Sequence, residues 1–68
     1  MTAKGTNPIQ RARRLYTQLH ILVGEADKRA RSYRAEGNDL GADLADCTAT
    51  GLRQARAEVA KAFPEVTS

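Results

Sequence analysis

Apolar and small residues recur through the first half of the chain at positions 9, 12, 16, 19, 23, 26, 30 and 33. They are Ile, Ala, Tyr, Leu, Val, Ala, Ala and Tyr, spaced by alternating steps of three and four. That alternation holds one stripe of a helix to one side. It is the a/d seam of a heptad pattern, here widened by Leu15 and Leu22. The start carries its own signals. Asn7 precedes Pro8, so a capping side chain is followed by a proline whose missing N–H the first helical position does not need. Gln10 stands three residues after the cap. Gly37 supplies the stop. Glu25–Arg29 and Asp27–Arg31 have the acid-first i,i+4 order that favours ion pairs along a helix. A first helix is predicted over 8–36, roughly 43 Å long.

The second half reads as another helix. Leu40, Leu44, Cys47, Thr48, Gly51, Leu52, Ala55, Val59, Ala62 and Phe63 form a broad face rich in small residues, which invites close approach of a neighbouring helix. Asn38 or Asp39 supplies the cap, and Asp43 and Asp46 sit early, where the helix dipole favours negative charge. Pro64 ends the pattern. The second helix is predicted over 39–63, roughly 37 Å long. Residues 1–6 and 64–68 are read as tails. A connection this short makes the helices antiparallel neighbours.

The expected fold is therefore all-α: one domain, a two-helix antiparallel hairpin with an open side. The chain has 68 residues and one cysteine, Cys47, so no internal disulfide supplements the core. No Cys/His cluster suggests zinc. A second copy is the expected source of extra core, closing a four-helix bundle as a homodimer. Which helix forms the seam between copies stays open. Helix 1 has the cleaner heptads but alanines at 12, 26 and 30, whereas helix 2 has the small residues that permit close packing.

No catalytic constellation is legible. His20, at the margin of the seam, and Cys47 fall on different helices, and Ser32 has no evident base. The segment GNDLG lacks the phosphate-loop pattern and its lysine. Asp39, Asp43 and Asp46 share a helix side that could attract a hard cation, but capping and dipole complementarity account for them. Cys47 is expected to be a small buried residue. The expectation is a non-enzymatic protein with no cofactor and no metal. A lone thiol and no export signal fit a reducing cytoplasm. The longest apolar run, Ile21-Leu22-Val23, is far too short to span a bilayer, so no membrane association is expected.

Charge is unevenly placed. Residues 1–37 carry eight basic and three acidic side chains, and residues 38–68 carry three and five. The basic half permits nucleic acid or an acidic protein surface as partner. Within that half Ile21 is out of place, pointing roughly 150° from the centre of the seam. Around it lie Thr17, Gln18 and Gly24, with Arg13 and Arg14 above and Lys28 and Arg31 below. An apolar centre with a polar or charged rim is the layout of a protein-binding patch. Gly24 would admit a close partner, at about 1 kcal/mol of helix stability relative to alanine. Three readings of Ile21 stand together: a single exposed isoleucine, part of a self-interface, or the anchor for a foreign protein. The arginines support a rival, a nucleic-acid-binding dimer that uses the basic ends of helix 1. Against it, they are scattered around the helix, and Tyr16 and Tyr33 fall on the seam rather than where bases could stack.

Two heptad helices, a tight turn and a lone cysteine in the second helix resemble the layout of the Rop-type regulators of plasmid copy number, helical-hairpin dimers that bind paired RNA loops. The resemblance covers about residues 8–63 as a layout and carries over no RNA-contacting residue. The small Arg- and Ala-rich chain also resembles in kind the phage-encoded host-takeover proteins, including anti-activators and anti-CRISPR proteins. That resemblance implies a stoichiometric inhibitor that occludes a surface of a transcription regulator or ATPase. The expected function is thus a module that docks on a cytoplasmic protein and inhibits or modulates it. Ile21 would anchor it, with Thr17, Gln18 and Gly24 around it and Arg14 and Lys28 as the electrostatic rim.

Overall fold

The computed structural model describes residues 7–67; the segment read as an N-terminal tail, 1–6, lies outside them. Two helices, α1 (Pro8–Ala35) and α2 (Asp39–Ala62), pack against each other, and a 3₁₀ turn (Pro64–Thr67) follows. Asn7 caps α1 by accepting a hydrogen bond from the Ile9 N–H at 2.8 Å. At the other end Gly37 takes φ +77°, a conformation that glycine adopts without steric penalty. The chain there closes a Schellman motif: Asn38 N–H donates to the Tyr33 carbonyl at 2.8 Å and Gly37 N–H to the Arg34 carbonyl at 3.1 Å. Asn38 then caps α2, its Oδ1 accepting from the Gly41 N–H at 2.9 Å. Three residues thus end one helix and begin the next.

The heptad stripe of α1 faces α2. Ala12, Leu19, Val23, Ala26 and Ala30 are buried, and Ile9, Tyr16 and Tyr33 are half-buried. The face that α2 presents in return differs from the sequence expectation. Ala42, Ala45 and Ala49 are buried, and Leu52, Arg56, Val59 and Phe63 continue the line in steps of three and four. Leu40 and Leu44, expected inside, are 71% and 62% exposed. Thr48 and Gly51 are exposed as well, and so is Cys47, which is therefore not a small core residue. Among the described residues six of the eight buried apolar side chains are alanines, with Leu19 and Val23 the other two, so the two backbones can approach closely. Gly41 is a point of close approach: a Cβ there would stand 2.9 Å from Tyr33 Cγ.

Residues 64–67 are not a free tail. Val66 N–H donates to the Phe63 carbonyl at 3.0 Å, and Arg13 of α1 donates to the Glu65 carbonyl at 3.4 Å. The whole measures 52 × 22 × 15 Å, two helices wide and one helix thick. No helix among the described residues is long and apolar enough to cross a membrane.

Candidate functional site

A hairpin one layer thick has two broad faces and two outer edges, and here the four surfaces differ in chemistry. One broad face is a polar ladder. On α1 its rungs start at Arg13, His20, Asp27 and Arg34, each seven residues from the last, so all four leave the helix on one side. Arg34 pairs with Asp46, Asp27 with Arg53, and Arg56 shares a hydrogen bond with His20 Nδ1 at 2.9 Å. Arg13 completes the ladder at the Glu65 carbonyl. The hydrogen bond from Arg34 to Asp46, reinforced by that carboxylate's charge and by Asp43 and Asp39, raises the Arg34 guanidinium above its ordinary value. Asp27 therefore reaches across to the second helix instead of along its own helix to Arg31, and no ion pair joins Glu25 to Arg29 among the described residues. The cross-helix pairing was readable only with the antiparallel register in hand, since 46 and 53 keep the same seven-residue step as 27 and 34.

The opposite broad face is apolar. Leu15 and Leu22 stand on its α1 side, both exposed, while Leu44, Ala55, Val59 and Ala62 stand on its α2 side. Toward the open end of the hairpin it deepens into a groove of about 710 Å³, whose lining includes Leu15, Leu19, Ala55, Val59 and Phe63, with Arg11 and Glu58 at the margins. The sequence pattern puts the apolar members of this set on the widened seam of α1 and the broad face of α2 in an open-sided hairpin, but spacing alone does not reveal the groove they form at its open end.

The outer edge of α1 carries the residues singled out from the sequence. Ile21 is 54% exposed and, with Arg13, Arg14, Thr17 and Gln18, lines one shallow depression. Gly24 lies beside it in open space, where an added Cβ would meet nothing within 4 Å. Lys28 lines the next depression along the helix, with Glu25, Arg29 and Ser32. Ile21, Thr17, Gln18 and Arg14 are thus brought together, and Lys28 is set apart by the bare turn at Gly24. The basic side chains do not merge into one stripe. Arg13, Arg34, Arg53 and Arg56 are engaged within the hairpin, and Arg11 and Arg29 leave α1 on the side away from Arg31.

Asp46, one of the three early aspartates of α2, is taken by Arg34. Among the described residues no group of three or more His, Cys, Asp or Glu side chains is placed to hold a metal ion. No protein-family model, no curated protein and no solved structure gives a significant match to the chain.

Proposed function

We propose that the protein is a non-enzymatic binding module that works as a homodimer and docks, through the outer edge of α1, on another protein. The observation that carries this reading is that alanines make up most of the buried seam while Leu15, Ile21, Leu22, Leu40 and Leu44 lie on the surface. A monomeric domain gains little from leaving five of its large aliphatic side chains outside a core built mostly of alanines, whereas a chain that completes itself on other surfaces does. The broad apolar face suits self-association into a four-helix bundle, and the Ile21 edge suits a foreign partner.

The partner is a protein surface that offers a shallow apolar pocket with an acidic rim. Ile21 fits the pocket. Arg14 and Lys28, one on each side along the helix, and the polar Thr17 and Gln18 fit the rim. Rim charges of this kind chiefly steer association, so binding should slow with added salt more than it loosens. Occluding a transcription regulator or an ATPase in the cytoplasm is the mode of action consistent with a module that brings no chemistry of its own.

The test places a photo-crosslinking amino acid at position 21 in the native host and identifies the captured protein, then measures its binding to variants. About half of the Ile21 surface is left to bury, worth roughly 1 kcal/mol or a little more. Ile21→Glu, which also buries a charge, is expected to weaken binding by tenfold or more while helicity and mass stay unchanged. Full affinity in that variant would remove Ile21 from the interface. Crosslinking to RNA or DNA, with a steep inverse dependence on salt, would favour the nucleic-acid reading instead.

A further inference from the structure

We infer that two copies stack through their apolar broad faces about a two-fold axis parallel to the helices, so that α1 of one protomer lies over α2 of its partner and both turns sit at one end. The inference rests on the self-association proposed above and specifies its face and its direction.

The face follows from the contrast between the two broad surfaces. On the ladder side Arg13, His20, Asp27 and Arg34 already have partners within the hairpin, so stacking there would desolvate satisfied polar groups. The other side presents Leu15, Leu22, Leu44, Ala55, Val59 and Ala62. A domain needs two packed layers around a core, and this hairpin supplies one. Two helices about 36 Å long and about 10 Å wide each give a face of roughly 700 Å², near the roughly 800 Å² per partner of a stable interface. A second copy therefore fits the face in both area and chemistry.

The direction follows from charge. Face-to-face stacking with two-fold symmetry allows two arrangements. With the axis across the helices, α1 lies over the partner's α1 and the turns sit at opposite ends. With the axis along the helices, α1 lies over the partner's α2 and the turns coincide. α1 carries seven basic and two acidic side chains, and α2 three and four. The first arrangement sets the basic helix on its own copy, with its Arg11 and Arg29 margin against the same margin. The second sets the basic helix on the acidic one and brings the α1 margin over the side of α2 that bears Glu58. Opposite charges favour the second.

The arrangement has a consequence for valency. Ile21 lies on the edge of α1 away from α2. Stacking α1 over the partner's α2 puts the two Ile21 surfaces on opposite edges of the bundle at the same height. One dimer then presents two separate docking surfaces. In the alternative arrangement both surfaces share one edge and would merge.

Sedimentation equilibrium of the full chain should give twice the 7.4 kDa protomer mass. Leu22→Glu should weaken dimerisation at least tenfold, and Ile21→Glu should leave the mass unchanged. Spin labels on a Glu36→Cys variant in a Cys47→Ser background then read the direction without disturbing either face. Labels at coincident turns should lie within about 25 Å, whereas turns at opposite ends would separate them by about 36 Å or more, the length of α2. A monomer at every concentration overturns the self-association itself. A dimer with the long distance, or one that Leu22→Glu does not weaken, leaves self-association standing and overturns this geometry. If Leu22→Glu loses its helicity, the distance in the labelled dimer still decides the direction.

Discussion

Of Gly24, Gly37, Gly41 and Gly51, only Gly41 lacks room for a side chain. Gly41 sits in the first turn of α2 beneath Tyr33, and a Cβ there would lie 2.8 Å from Asn38 Nδ2, 2.9 Å from Tyr33 Cγ and 3.0 Å from Asn38 Cγ. Tyr33 Cγ is the root of the ring, so flipping the ring does not move it away; only a change of χ1, which would lift the whole ring off α2, would do so. Asn38 could swing aside only by giving up its cap on the Gly41 N–H, worth about 1 kcal/mol. Overpacking typically adds about 1–3 kcal/mol, and the helix-propensity gain from alanine returns about 1 kcal/mol at most. Gly41→Ala is therefore expected to destabilise the fold by about 1–3 kcal/mol, a fall in melting temperature of roughly 4–24 °C for a domain of this size. Gly24 is the control on the same scale, because an added Cβ there meets nothing within 4 Å. Gly24→Ala should gain about 1 kcal/mol, or roughly 4–8 °C. Both melts are read by circular dichroism at one fixed protein concentration, since association shifts apparent stability. In a double-mutant cycle, Gly41→Ala and Tyr33→Ala should couple by at least about 0.5 kcal/mol. A Gly41→Ala protein that melts above the wild type, or a cycle without coupling, would refute the close approach of the helices at this point.

Two further outcomes follow from the same geometry. Gly37→Ala forces a side chain into φ +77° and should cost about 1–2 kcal/mol in urea unfolding, with Gly37→Asn costing less. Ala49→Leu, at a fully buried seam position, should destabilise by about 1–3 kcal/mol, whereas Leu40→Ala, at a position 71% exposed, should fall within about 0.5 kcal/mol of the wild type. The reverse order would return the leucines of α2 to the core.

Local rules made α1 legible before any coordinates. Its cap at Asn7, its seam from Ile9 to Tyr33 and its stop at Gly37 depend on backbone hydrogen bonding and on a 3.6-residue period, both of which are written along the chain itself. The outward placement of Ile21 follows from the same period. α2 was legible as a helix but not in its orientation, because it carries two stripes at helical spacing. One runs through Ala42, Ala45 and Ala49, and the other through Leu40, Leu44, Cys47 and Gly51. A rule that sends large apolar residues inward selects the leucines. The turn decides otherwise: the left-handed Gly37, the Asn38 cap and the contact of Gly41 with Tyr33 bring α2 in with its alanines toward α1. That rotation is a relation between two helices, and no period within either of them contains it. It also decides which surfaces remain for others, turning Leu15, Leu22 and Leu44 outward and assembling the ladder from Arg13 to Arg34. Two helices, a tight turn and the inward stripe of α1 are local matters of capping and period, and they are written in the chain. Which stripe of α2 becomes core, and hence which leucines are left on the surface, depends on how closely one backbone can approach another, and that is a property of the packed pair alone.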